Sequence, residues 1–235
     1  MVTDVSLALQ TGEMSILGRL VDASNATLLV TVQNGADGIK CIYKPIAGER
    51  PLWDFPHGTL AHREYAAFLV SSRANFDVVP LTLLRQGPYG EGAVQQWIDI
   101  DDSIDLLELF KRDLPELRKM ALFDAVINNT DRKIGHLLPT QNGNIYGCDH
   151  GVTFHSDDKL RTVLWQWAGV PLSLEESEQL LNLQDLMNGS LRSELGELLT
   201  QVEVLELSRR IGSLLDSGIF PFPNPEWPSV PWPPF

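Results

Sequence analysis

Asp124-Ala-Val-Ile-Asn-Asn-Thr-Asp131-Arg132-Lys133-Ile-Gly-His136 is followed, one short hairpin later, by Asp149-His150-Gly151. The first stretch puts an Asp-Arg pair in a loop at the end of a helix. The second puts an aspartate and a glycine at the end of an apolar strand. Phosphoryl transfer needs one carboxylate near the attacking hydroxyl and another to hold a divalent cation on the nucleotide phosphates. Asp131 is the candidate for the first role, orienting and deprotonating the acceptor. Asp149 is the candidate for the second, because Mg²⁺ is usually held by few carboxylates together with phosphate oxygens. The plainer readings are a polar helix-ending loop, Asn128–Asp131, and a β-turn, Asp-His-Gly, in which Gly151 permits the bend.

If this chemistry is present, a lysine and its partner should lie upstream. Lys44 ends the strand Ile39-Lys-Cys-Ile-Tyr-Lys-Pro45. It is read either as a phosphate ligand or as a surface lysine at a strand end. Leu60–Arg73 is expected to be a helix, with Thr59 as a possible N-cap. On it Ala61, Tyr65 and Phe68 form an apolar stripe, and Glu64 falls on that stripe. A carboxylate on a buried face needs a partner, and Lys44 is the nearest candidate. The alternative is a glutamate at the stripe's edge, reaching water.

Asp124 poses the same question among Leu117, Met120, Ala121 and Ile127. It reads as a support that accepts hydrogen bonds from the Asn128–Asp131 loop, and Arg132 as the partner of a neighbouring carboxylate. His136 has three readings: metal ligand, acceptor contact, or packed strand residue. The backbone amides of Ser24 and Asn25, in a first hairpin turn, are candidates to cover phosphates. Gln95-Gln96-Trp97 would be the strand whose backbone faces the adenine.

The pattern places strands at about 17–21, 26–32, 39–45, 78–84 and 92–98. A short helix follows near 104–111, and a longer one from Pro115 to about Ile127, proline suiting a first turn. A hairpin over 136–148 and acidic helices beyond Pro171 complete the order. The expected organisation is a β-rich lobe with one helix over 1–98, a helical lobe with the catalytic loop over 99–218, and a Pro/Trp-rich tail over 219–235 packed on the domain. The chain crosses between lobes near Trp97–Asp102. The loop from Gly48 to Pro56 reads as a substrate loop or an ordered cover. The tryptophans of Leu160–Trp167 read as core rather than as a substrate platform.

With 43% hydrophobic residues the 235-residue chain can bury a core, and its net charge is −13 from 31 acidic and 18 basic residues. That balance argues against nonspecific nucleic-acid or anionic-membrane binding. No apolar run approaches the roughly 20 residues of a membrane span, and the N-terminus lacks a signal pattern. Cys41 and Cys148 read as buried apolar residues of a reducing compartment. A cytoplasmic location is expected.

These segments resemble the phosphatidylinositol 3/4-kinase-like branch of the protein-kinase superfamily, in particular small actinobacterial members of unsettled substrate. The resemblance rests on Lys44–Pro56, Asn128–Lys133, Asp149–Gly151 and the Trp/Pro-rich end. More distantly, the Asn-x-Asp-Arg and Asp-His-Gly segments are similar to HipA-type toxin kinases and secreted Golgi kinases. The resemblance implies an α+β, two-lobed kinase-like fold that moves the γ-phosphoryl group of ATP, with Mg²⁺ or Mn²⁺, to a hydroxyl of a protein or small metabolite. It implies that Lys44 binds phosphate, Glu64 pairs with it, Asp131 is catalytic and Asp149 holds metal. Two positions depart from the pattern: Lys133 stands where a histidine is usual, and His136 where an asparagine that ligates a second metal is usual. Two rival activities share the fold: a nucleotidyl transferase, and a nucleotide-binding pseudokinase or scaffold.

Overall fold

The computed structural model describes residues 4–20, 25–35 and 37–235. Five strands form one antiparallel sheet: β1 (Met14–Arg19), β2 (Leu28–Asn34), β3 (Asp37–Pro45), β4 (Thr82–Gly87) and β5 (Gly90–Gln96), in spatial order β1-β2-β3-β5-β4. Period-2 alternation decides which face is apolar. Leu28, Val30 and Val32 of β2 pack with Cys41 and Tyr43 of β3 and with Val94 of β5. The register sets Leu28 opposite Tyr43, Val30 opposite Cys41, and Tyr43 opposite Val94.

A helix not foreseen from the sequence, α1 (Asp4–Thr11), covers this face through the fully buried Leu9. Its end is closed by Arg85, which donates to the carbonyls of Leu9 and Gly12 at 2.6 and 3.0 Å. A cation at a helix C-terminus satisfies orphan carbonyls there.

Between β3 and β4 lies α2 (Leu60–Arg73). Thr59 stands at its N-cap position, but the side chain makes no capping bond, and its hydroxyl donates to Pro56 O instead. The first amides of α2, those of Leu60 and Ala61, donate to the Glu49 carboxylate at 3.1 and 2.8 Å. A negative charge here also suits the helix dipole.

The second half begins with a one-turn helix, α3 (Leu106–Leu109), capped by Asp105, and continues with α4 (Pro115–Ile127), Pro115 standing in its first turn. A small hairpin, β6 (Leu137–Pro139) and β7 (Ile145–Gly147), follows. Three helices close the fold: α5 (Leu174–Met187), α6 (Ser190–Gly196) and α7 (Gln201–Ser217). Reciprocal capping boxes, Ser173 with Glu176 and Thr200 with Glu203, start α5 and α7.

The larger core joins α2 to these helices. Ala66, Ala67, Leu69 and Val70 of α2 belong to the same buried cluster as Met120, Phe123, Leu180, Leu207 and Ile211. Trp167 is buried, and its indole N–H donates to Asp113. The Pro/Trp-rich end runs back along the fold: Thr162 N and the Trp165 indole donate to Ser229 O, and Ile134 N donates to Pro234 O. Cys41 and Cys148 are both free, and burial pushes their thiols up to about 12 and about 11. Among the described residues no helix is long and apolar enough to cross a membrane.

Candidate active site

The site is assembled where β3, α2 and the loops after α4 and β7 meet. Lys44, on β3, ion-pairs with Glu64 of α2 and lies 2.9 Å from Asp149 Oδ1. Glu64 Oε2 accepts the amide of His150 at 3.1 Å. One buried carboxylate thus fixes both the lysine and the backbone just after Asp149. Burial alone would lower the Lys44 pKa, but Asp149 and Glu64 together raise it above the ordinary value. The Lys44 charge in turn holds Asp149 well below the usual carboxylate range against the effect of burial. Both are therefore charged at neutral pH.

Asp149 adopts φ +61°, in the left-handed region. This corrects the sequence reading of the turn: the unusual backbone lies at Asp149 itself and not at Gly151. A Cβ at 151 would make ordinary contacts with Leu60 Cβ at 3.4 Å and Glu64 Oε1 at 3.6 Å. The Asp149 side chain remains 51% exposed.

The loop after α4 is organised by a fully buried pair. Arg132 Nη2 lies 2.9 Å from Asp124 Oδ1, and both side chains are 0% exposed. Burial would lower the Arg132 pKa, but Asp124 raises it. Asp124 also accepts Asn129 Nδ2 at 2.9 Å, so it does serve the Asn128–Asp131 loop. Arg132 donates onward to Cys148 O and contacts His150 Nε2 at 2.7 Å. Burial, with the Arg132 charge, holds the His150 pKa well below its ordinary value. The neutral ring then accepts from Arg132. The loops bearing Asp131 and Asp149 are thereby held to each other from beneath.

Asn128, at φ +51°, ends α4. Its side chain donates to His155 O and Asp157 O and accepts Lys159 N. Asn129 Oδ1 accepts the amide of Asp131 at 3.0 Å. Asp131 lies 3.4 Å from Lys133 Nζ and 3.7 Å from Arg161 Nη2. Burial raises its pKa, opposed by Lys133 and reinforced by the Asp149 charge. An elevated pKa suits a group that is to accept a proton.

His136 accepts the amide of Lys133 at Nδ1, 3.4 Å away, and its Nε2 lies 3.6 Å from Asp149 Oδ2. Burial lowers its pKa to about 4, despite Asp149. With Nδ1 accepting, the proton of the neutral ring sits on Nε2 and faces the carboxylate. In that tautomer the ring orients Asp149; as a metal ligand it would have to carry its proton on Nδ1 instead. No group of three or more His, Cys, Asp or Glu able to hold a metal occurs among the described residues. One half-exposed carboxylate fits a cation that arrives on nucleotide phosphates, since Mg²⁺ is commonly held by one or two carboxylates plus phosphates.

The nucleotide-facing expectations fare unevenly. Ser24 lies outside the described residues. Asn25 Oδ1 accepts the amide of Arg50, so that side chain braces the 46–59 loop. The Gln95 side chain donates to Thr82 Oγ1. The amide of Gln96 donates to Leu81 O and that of Trp97 to Lys40 O, so neither is available to a purine.

Sequence reasoning assigned no role to four supporting residues. Arg63 is buried against Glu203 of α7, its Nη2 2.5 Å from Oε1. Lys159, 5% exposed, pairs with Asp54 at 2.8 Å and lies about 5 Å from the Trp53 and Trp227 rings. The loop after β3 is thus an ordered cover, tied to the segment beyond Asp149. Arg161 and Lys133 flank Asp131.

No family model matches the chain. Protein Rv2133c of Mycobacterium tuberculosis (strain ATCC 25618 / H37Rv) is 41% identical to it over 267 aligned positions, which take in 99% of this chain and 96% of that protein. The chain belongs to the family of Rv2133c. Among solved structures, the Golgi casein kinase with Mn/ADP bound is similar with a TM-score of 0.59 at 15% identity, over 91% of this chain and 75% of that one. The Helicobacter pylori proinflammatory kinase CtkA is similar with a TM-score of 0.52 at 12% identity, over 90% and 94%. At these identities the likeness is one of fold, and the fold is kinase-like.

Proposed function

We propose that the protein is an ATP-dependent phosphotransferase of the phosphatidylinositol 3/4-kinase-like type, moving the γ-phosphoryl group to a hydroxyl. The observation that carries the reading is the three-way junction at Glu64, which holds Lys44 with one oxygen and the His150 amide with the other. It brings the lysine from the sheet and Asp149 from the helical half to one point without a ligand. A strand lysine paired with a helix glutamate, beside a metal-binding aspartate, is the working arrangement of kinases. In this reading residues 1–98 and 99–218 are the two lobes.

Each residue then has a task. Lys44 places its charge on the donor phosphates. Asp149 would hold the divalent cation, which when bound neutralises phosphate charge. Asp131 accepts the acceptor's hydroxyl hydrogen bond and takes its proton as the oxygen bonds to phosphorus and ADP departs. Asp124 and Arg132 keep the loop in register. The Mn/ADP held by the Golgi casein kinase supports a nucleotide and a divalent cation in the same cleft here.

The test is thermal unfolding of wild type and Asp149→Ala with ATP, with and without Mg²⁺ or Mn²⁺. Ligand at 100 times Kd adds about 2.7 kcal/mol, and each kcal/mol is worth roughly 2–4 °C in a chain of this size. The expected rise is therefore about 5–11 °C, metal-dependent and absent in the variant. An equal rise in Asp149→Ala would remove that residue from the site. No rise with any nucleotide would leave a scaffold of kinase-like fold.

A further inference from the structure

Asp131 is flanked by two cations that it holds only loosely. Nearby buried cations are each matched by a carboxylate: Arg132 by Asp124, Lys159 by Asp54, Arg63 by Glu203. At Asp131 two cations, Lys133 and Arg161, share one carboxylate, and they do so loosely, at 3.4 and 3.7 Å. A guanidinium at 3.7 Å is beyond hydrogen-bond distance. Across the whole site the charges balance, because Lys44 faces both Glu64 and Asp149, but the excess of cations stands on the Asp131 side. Both cations are left without their carboxylate once Asp131 turns its oxygens to an acceptor.

The Arg161 side chain is built into place. Its amide donates to Asn129 O, and its Nε donates to Thr130 O at 2.8 Å, both in the loop that carries Asp131. The next residue, Thr162, forms a bridge with Arg132. The guanidinium is thus fixed at one edge, and among the described residues its Nη1 has no partner. The side chain is 28% exposed. An arginine held by its Nε, with its outer N–H groups unspent, presents a fork suited to a carboxylate or phosphate.

We infer that the acceptor carries an anionic group, carboxylate or phosphate, close to the hydroxyl that receives the phosphoryl group, and that Arg161 reads that group. This inference rests on Asp131 being the residue that engages the hydroxyl. Hydrogen bonds of about 2.7–2.9 Å on either side of the gap between Asp131 and Arg161 hold the hydroxyl and the anion within about 9 Å of each other. Hydroxy acids, sugar phosphates and a serine beside a glutamate all satisfy that spacing. Arg161 is a specificity-determining residue in this scheme, and Asp131 remains the base.

The experiment is thermal unfolding of the full chain with saturating MgADP and low-millimolar probes. The probes are inorganic phosphate, glycerol 3-phosphate, glycerate, glycerol, and a short serine peptide with a neighbouring glutamate. Sodium chloride at equal ionic strength is the reference, since salts also stabilise nonspecifically. Anionic probes should raise the wild-type Tm where glycerol does not. Arg161→Gln should weaken the apparent affinity about 10- to 100-fold, the loss expected for a hydrogen bond to a charged group. Arg161→Lys should keep part of it, and Asp131→Asn, which frees both cations, should strengthen it. A shift with the small anions and not the peptide identifies a metabolite acceptor, and the reverse identifies a protein. If no anion exceeds chloride in wild type, or if the shift survives undiminished in Arg161→Gln, the assignment is wrong. Failure of MgADP itself to stabilise the protein is a separate result, and it counts against the phosphotransferase reading.

Discussion

Glu203→Gln should be among the most damaging single substitutions outside the site. The Arg63 and Glu203 side chains are 1% and 7% exposed, and the ion pair joins α2 to α7. Arg63 Nη1 also donates to Thr153 O at 2.7 Å, and its guanidinium lies 4.8 Å from the Phe55 ring centroid. Neutralising one member of a buried pair leaves the other charge uncompensated, at a cost of about 3–5 kcal/mol. Glu49 and Asp54 also act on Arg63, which puts the expectation near 3 kcal/mol, at the low end of that range. In a chain this size that lowers Tm by about 6–12 °C. Glu203 Oε2 additionally accepts Thr200 N and Oγ1, each at 2.9 Å. Glutamine keeps that cap and alanine does not, so Glu203→Ala should lose about 1 kcal/mol more. The double variant Arg63→Met/Glu203→Leu should recover most of the loss, because apolar replacement of a whole buried pair is often neutral or better. Circular dichroism melts with parallel urea titrations read all four proteins. A Glu203→Gln melt within 2 °C of wild type (below the roughly 6 °C minimum expected), or a double variant no better than the single, would refute the reasoning.

Two further outcomes are expected. His136 is held down to about 4 from an ordinary 6.5. Between those values the unfolded chain binds a proton that the folded one does not. This residue therefore costs stability as pH falls from about 6.5 to about 4, by up to about 3 kcal/mol. Tm measured against pH should fall less steeply over that window in His136→Asn, and parallel curves would show that the ring does not titrate as described. At Gly147 a Cβ would lie 2.9 and 3.0 Å from the Arg132 guanidinium nitrogens and 3.0 Å from Met120 Cε. Arg132 is pinned by Asp124 and cannot withdraw, so Gly147→Ala should cost about 1–3 kcal/mol, and an unchanged melt would mean that the network yields.

The two long helices that carry the candidate site were legible because local signals coincide there. Pro115 opens α4 and the apolar spacing ends at Ile127. Leu60 and Arg73 bound α2. Glu64 and Asp124 stood out because each interrupts an apolar face, and a buried carboxylate needs a partner. What stayed hidden depends on sequence-distant contacts. Arg63 and Glu203 are 140 residues apart, and each alone reads as a surface charge on a helix. Glu49 displaces Thr59 as the source of cap hydrogen bonds by reaching back from the preceding loop. The amides of Gln96 and Trp97 are consumed by Leu81 and Lys40, a matter of strand pairing that residue types do not reveal. Arg161 approaches Asp131 only because its segment pairs with the loop after α4. The short α1, of 8 residues, has too few turns to show a period.

The partition of the core has a mechanical consequence. Although α2 comes between two sheet strands in the chain, it is fastened to the helices. Its apolar face lies in their core, Arg63 pairs with Glu203, Arg73 with Glu194, and Ala74 O accepts Gln179 Nε2. If these ties outweigh the packing of α2 on the sheet, Glu64 should move with Asp149 and Asp131, and Lys44 with the sheet. Opening of the cleft should then separate Lys44 from its two carboxylates and leave α2 in place, so that the division of moving parts differs from the 1–98 and 99–218 lobes. Lys44→Met removes both ion pairs and should loosen the sheet against a helical half that stays intact. Native-state amide exchange resolves such partial openings. Exchange should quicken at the sheet's contacts with the helical half, while the α2 amides keep the protection of α4 and α7. Loss of protection in α2 together with the sheet would show that the helix belongs to the sheet's cooperative unit. The Lys44–Glu64 pair would then lie within one moving body and could not act as its joint.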